Sequence, residues 1–317
     1  MKAHELSFLN ALHEAEKRVM EELAQAYARA LADIRGQLTA LKQREQTESV
    51  FNRINYKQAQ ERQLRRTIDA LRNGEINTIK EYKTWMHESG HITVSQGLNQ
   101  DGVSLIIPIN PNVMTASLAN QVQGLNFADR IDIQMDKFHD DVARIINTGL
   151  ARNATFAEIA KEIARVAESR LYAAYRIAIT EGNRVLNQSK FYAMREAKRR
   201  GADIVKQWHS ALMETTRDNH TDMHNQIREL EESFDSPSGA TAMHPLGFGI
   251  AEEDINCHCT LLQRARWALE DAETLGDLKD IEGMDEFMSA EDYNDYYKLY
   301  NSTADGVISR QDQILGI

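Results

Sequence analysis

SRLYAAYRIAITEGNRVLNQSKFYAMREAKRR (residues 169–200) runs into GADIVKQWHSAL (201–212), and the texture of the chain changes at that junction. The first stretch reads as one long helix, broken only by Gly182 and closed by Lys198, Arg199 and Arg200 before Gly201. Cations in a last turn followed by glycine satisfy the final carbonyls and suit the negative end of the helix dipole. The second stretch alternates around Trp208 as a strand does. Helix before Gly201 and mixed structure after it predict a mainly α protein with a small C-terminal α+β module and long N-terminal helices.

Working outward, the first 107 residues contain no proline and are dominated by strong helix formers. Leu12, Val19, Leu23, Tyr27, Ala30, Ile34, Leu38 and Leu41 recur mostly at steps of three, four and seven, which puts them on one helical stripe. Gly36 weakens that helix locally. A second helix runs from Phe51 towards Leu71 with Gly74 as its stop, and a third from Glu75 to about His87, stopping near Gly90. Residues 90–112 are richer in β-branched side chains, with Gly97 and Gly102 between the apolar runs, so a short hairpin is expected there. Helices resume near Met114, and Asn153 or Thr155 is placed to cap one of them. Beyond Trp208 a helix is expected near His220, then a Ser/Gly/Pro-rich loop over 233–249, then INCHCTLLQRARW, whose Cys257, Cys259 and Leu261 alternate. The expected organisation is therefore 1–113, a helical region with a short hairpin; 114–200, a central helical region; 201–269, the α+β module; and 270–317, a tail.

That tail carries 13 acidic and 3 basic residues, while the remaining 269 residues carry 35 acids and 34 bases. The body is thus near neutral, which argues against a large phosphate footprint. Lys198, Arg199 and Arg200 could still touch DNA non-specifically, although a helix cap is the simpler reading. The tail also holds Phe287, Tyr293, Tyr296, Tyr297 and Tyr300, more aromatic content than a solvating acidic segment has. Its tyrosines share one face of a short helix, which should dock either on the chain's own body or on a partner. No apolar run is long enough to span a membrane, and the N-terminus has no signal-peptide core, so synthesis in a cytoplasm is expected.

Five of the ten histidines and both cysteines lie between His209 and His258. His220 and His224 are spaced i, i+4, which on a helix presents both imidazoles to one point. Cys257 and Cys259 are spaced i, i+2, which on a strand points both thiols to one side. Together they form a candidate tetrahedral site for a structural zinc ion. The bland alternative is a buried thiol pair behaving as small apolar groups, with histidines bonded to backbone. A catalytic zinc hydrolase or nuclease is the competing use of the same cluster, with Glu214 as its only candidate base.

Other enzyme signatures are missing: there is no G-x-S-x-G, no phosphate-binding P-loop and no dinucleotide glycine pattern. His87-Glu88-Ser89-Gly90-His91 is formally H-E-x-x-H, but Gly90 reads as a helix end, which would make the two imidazoles diverge. The expectation is a protein that is not an enzyme.

Residues 208–226, WHSALMETTRDNHTDMHNQ, resemble the signature of the phage Mu protein F-like head morphogenesis family through Trp208, Thr216, Arg217, His220 and Gln226. DINCHC (254–259) resembles that family's closing N-C-R-C segment, and Thr180, Glu181 and Asn187 match an upstream helix. The sequence departs from the pattern at Ile179, Met213, Thr215, Asn225 (for glycine) and His258. The resemblance covers about residues 120–265. It implies a minor head protein of a tailed bacteriophage, located in the virion at the capsid interior and acting in procapsid assembly or DNA delivery. It implies the portal as partner, with the major capsid or scaffolding protein as further candidates, and suspected metal chelation at His220, Cys257 and Cys259. The portal is likewise the partner expected for the tail.

Overall fold

The computed structural model describes all residues except 1–2, 46–49, 120, 122–123, 212–214 and 270–317. The acidic tail and its expected helix therefore lie outside the described residues, as does Glu214. The protein is mainly α with a small strand-containing C-terminal module. Helices α1 (Ala3–Glu45), α2 (Val50–Gln100), α3 (Pro111–Leu118), α4 (Phe127–Ala151) and α5 (Phe156–Arg199) come first. Strand β1 (Ile204–His209), α6 (Asp218–Asp222), β2 (Ile227–Arg228), β3 (Phe234–Asp235), β4 (Thr241–Ala242), α7 (Ala251–Asp254), β5 (Thr260–Ala265) and a 3-10 turn (Arg266–Leu269) follow. No described helix is long and apolar enough to cross a membrane.

The described residues fall into two compact units, one drawing on 3–16, 80–126 and 178–269, the other on 17–79 and 127–177. In the second unit, Leu23, Tyr27 and Ile34 of α1, Ile68 of α2 and Ile131, Met135 and Phe138 of α4 are buried. Arg170 of α5 donates to Gln134 and Asp141 of α4 there. Helix α5 opens with a capping box: Glu158 N donates to Thr155 Oγ1, and Thr155 N donates back to the Glu158 carboxylate at 2.7 Å.

Two local expectations fail in α2. The helix runs through Gly74 and Gly90 without stopping, and residues 90–100 continue it instead of forming a hairpin. The physical reason at Gly90 is packing. A Cβ there would lie 2.6 Å from the Leu186 carbonyl oxygen of α5, so the missing side chain permits close helix contact rather than ending the helix. The chain turns only at Gly102, whose φ of 75° suits glycine. It then runs to α3, whose cap Asn110 accepts from Asn112 N and whose first residue is Pro111.

The first unit holds the α+β module. Strand β1 pairs antiparallel with both β2 and β5, giving the order β2-β1-β5, and all six β1 residues are buried. Trp208, fully buried, contacts His220, Phe234 and Phe248 edge-on or tilted at centroid distances of 5.4–5.8 Å. Strand β5 is tied to α1 by Arg264, which donates to Glu5 at 2.7 Å with both side chains nearly excluded from solvent. It is tied to α5 by Lys190, which donates to Thr260 Oγ1 at 2.8 Å.

Candidate metal centre

His220, Cys257 and Cys259 meet in the interior of the module, each 2% exposed or less. His220 Nδ1 lies 3.5 Å from Cys257 Sγ and 3.6 Å from Cys259 Sγ. A tetrahedral zinc ion with ordinary Zn–S and Zn–N bond lengths separates sulfur from nitrogen by about 3.5 Å. Both sulfur–nitrogen separations thus already stand at the edge length such an ion requires, and all three donor atoms lie within 4.8 Å of one another. They fill three of its four corners.

The histidine is oriented for this. Its Nε2 is 2.7 Å from Glu253 Oε2, so with the proton on Nε2 the Nδ1 lone pair faces the thiols. Glu253 is in turn held by Asn219 Nδ2 at 2.9 Å and Ser238 Oγ at 2.6 Å. A carboxylate behind a metal-facing imidazole fixes the ring and raises its basicity. Burial opposes the negative charge of Glu253, but the bonds from Ser238, His220 and Asn219 outweigh it and hold its pKa below the usual carboxylate value. Burial likewise opposes charge on His220, and Cys259 and Glu253 overcome it, raising the imidazole pKa. Burial pushes the Cys257 thiol up, and neighbouring Cys259 pushes it further. At Cys259 the bonds from Cys257 and His220 outweigh burial and bring the pKa well down. Without a metal the trio thus favours a Cys259 thiolate beside a protonated imidazole, and binding a metal would release the protons on His220 Nδ1 and the Cys257 thiol.

The backbone carrying the thiols is clamped from three sides. Thr180 Oγ1 accepts from Asn256 N at 3.1 Å. Asn187 of α5 donates to Cys259 O at 3.0 Å and accepts from Leu261 N at 2.7 Å. Arg217 donates to Ile255 O at 2.6 Å. Asn256 itself has a φ of 59°, a left-handed kink that asparagine tolerates and that sets Cys257 and Cys259 on one short loop.

Of the four ligands expected from sequence, three converge and His224 does not. Helix α6 ends at Asp222, so the i, i+4 spacing of His220 and His224 does not place them on one face. His224 Nδ1 instead accepts from Ser210 N at 3.1 Å, and its ring packs against His209. The cysteines also precede β5 rather than lying on it; their convergence comes from the clamped loop, not from strand alternation. Glu253 escaped the sequence reading altogether, although the acidic run Glu252-Glu253-Asp254 directly before the cysteines was its one visible signal.

The H-E-x-x-H segment needs a second correction. Because α2 is continuous, His87 and His91 do share a face, contrary to the divergence inferred from Gly90. His91 Nε2 is committed to Ile107 O at 2.6 Å, and Glu88 is exposed. Among the described residues, His220, Cys257 and Cys259 are the only group of three potential metal ligands close enough to share an ion.

A helical body bearing a small strand module, with a Cys-x-Cys loop clamped onto a buried histidine, brings together three side chains that could hold a metal ion. Residues 136–262 match the family described as Phage Mu protein F like protein. The chain is 24% identical over 151 residues to the Minor head protein GP7 of Bacillus phage SPP1, covering 48% of this chain and 49% of that one. It is 31% identical over 188 residues to NAD(+)--arginine ADP-ribosyltransferase EFV of Enterococcus faecalis (strain ATCC 700802 / V583), covering 59% of this chain and 38% of that one. The chain thus spans under half the length of these curated relatives. No solved structure matches it. The second relative overturns the expectation of a protein that is not an enzyme, because a similar chain bears an enzyme's name. That expectation rested on missing motifs, and missing motifs do not exclude chemistry.

Proposed function

We propose that this protein is a minor head protein of a tailed bacteriophage, acting in head morphogenesis from the capsid interior with the portal as its principal partner. The major capsid or scaffolding protein is a further contact, and DNA meets it only non-specifically. In this reading the His220, Cys257 and Cys259 node holds one structural zinc ion, which ties α6 to the loop before β5. One observation carries the reading. Thr180, Arg217 and Asn187, which match the family pattern, are the side chains that bond the backbone on either side of the two cysteines. The family pattern and the metal node are therefore one construction.

The test is co-expression of a tagged full-length chain with portal, major capsid and scaffolding proteins, followed by isolation of procapsids. The chain is expected in portal-containing procapsids and reduced in shells assembled without portal. Its absence from both kinds of particle would overturn the proposal.

A further inference from the structure

A tetrahedral zinc ion takes four donors, and His220, Cys257 and Cys259 supply three. Among the described residues, no further His, Cys, Asp or Glu stands within 4.8 Å of all three donor atoms. His224 is turned to Ser210 N, and Glu253 lies behind the imidazole. Both cysteines, His220 and the neighbouring Trp208 are nearly sealed from solvent. A closed structural site takes its fourth donor from the protein, whereas an open catalytic site leaves that position to water. The donor to look for is therefore a neutral oxygen of the chain itself.

Ser210 brings one. It follows β1 directly and is fully buried. Side chains two apart on an extended chain share a face. Trp208, two residues earlier, packs edge-on against His220 at 5.7 Å, and Ser210 carries that face on to the sulfurs. Its Oγ lies 3.8 Å from Cys259 Sγ, the one hydrogen-bond partner of the hydroxyl among the described residues. With Zn–S of about 2.3 Å and Zn–O of about 2.0–2.2 Å, a tetrahedral ion separates sulfur from oxygen by about 3.5–3.7 Å. The observed separation is slightly longer than that edge.

The backbone holds the hydroxyl in place. Ser210 N donates to His224 Nδ1 at 3.1 Å, and the N–H of Ala211 bonds the Cys259 sulfur. The exit of β1 thus addresses Cys259 through a side chain and through the main chain.

We propose that Ser210 Oγ is the fourth ligand of the zinc ion, an inference that rests on the zinc reading above. The set is then two thiolates, one neutral imidazole and one neutral hydroxyl. Two negative charges meet the two positive charges of the ion, so no net charge is buried.

The test uses the full-length chain, purified without chelators, assayed for metal and then loaded with cobalt(II), whose absorption reports the ligand set. In Ser210→Cys the near-ultraviolet thiolate-to-cobalt band should be about half as intense again as in the parent, because three thiolates replace two. A serine that only hydrogen-bonds the Cys259 sulfur would give no such gain. Ser210→Ala should weaken zinc binding about 10–100-fold in a chelator competition. If that variant fails to fold, the nearly isosteric Ser210→Cys still decides. A parent chain that binds neither zinc nor cobalt would overturn the zinc reading and this ligand with it. A zinc-loaded parent with an unchanged cobalt band in Ser210→Cys would leave the zinc reading standing and overturn the assignment of Ser210.

Discussion

Glu253 Oε2 stands 2.7 Å from His220 Nε2, on the side of the ring away from Cys257 and Cys259. The carboxylate sits on the far side of the ring from the thiols, yet it decides which nitrogen faces them. The first prediction follows from this relay. Full-length protein purified without chelators should contain about one zinc per chain by elemental analysis. Cys257→Ser and Cys259→Ser should abolish retention. Glu253→Gln keeps the shape but loses the charge, and should weaken zinc affinity about 10–100-fold in a chelator competition. Protein with negligible metal would refute the zinc assignment.

His224→Ala should leave the zinc content unchanged, because His224 faces Ser210 N and not the thiols. Removing that acceptor should still destabilise the chain by about 1–3 kcal/mol in a denaturant melt. Loss of zinc in this variant would restore His224 as a ligand.

Three glycines in long helices should separate by their surroundings. Gly36→Ala and Gly74→Ala add a methyl group to open space, so each should stabilise by about 0.4–1 kcal/mol through helix propensity and a less mobile unfolded chain. Gly90→Ala drives a Cβ against the Leu186 carbonyl and should destabilise by about 1–3 kcal/mol. Thermal melts of the three variants check the sign of each.

Glu16 is 1% exposed, and its burial, opposed in part by the Asn183 side chain, pushes its pKa up to about 8. The folded state then holds a proton that the unfolded state releases near the ordinary value of 4.5. Stability is therefore lost as pH rises between those values, by up to about 1.4 kcal/mol per pH unit, and levels off above. Glu16→Gln removes the titration. Its melting temperature should exceed the parent's by a margin that grows from pH 5 to pH 8. A margin independent of pH would show that Glu16 does not titrate in this way.

Much of this architecture was legible before folding. The strong formers without proline gave the long helices, and Lys198 to Gly201 marked the end of α5 within a residue. Cys257, Cys259 and His220 were visible as a cluster. What was not legible depended on contacts distant in sequence. Gly90 looks like a stop until the Leu186 carbonyl is seen against it. His224 looks like a ligand until α6 proves too short. Asn225 departs from the family's glycine, yet its φ of 65° shows why a residue tolerant of the left-handed region stands there. Strand β1, by contrast, was legible from the alternation around Trp208, although all six of its residues are buried.

The pair between Arg264 and Glu5 joins residues 259 positions apart. Glu5 is translated before Arg264, so this carboxylate lacks its Arg264 partner until β5 has been made. At elongation rates of about 5–20 residues per second, that interval is roughly 13–50 s. Completion of the first unit is thus timed by the arrival of its last long strand, and a chain that stops before residue 264 leaves the Glu5 carboxylate without this partner.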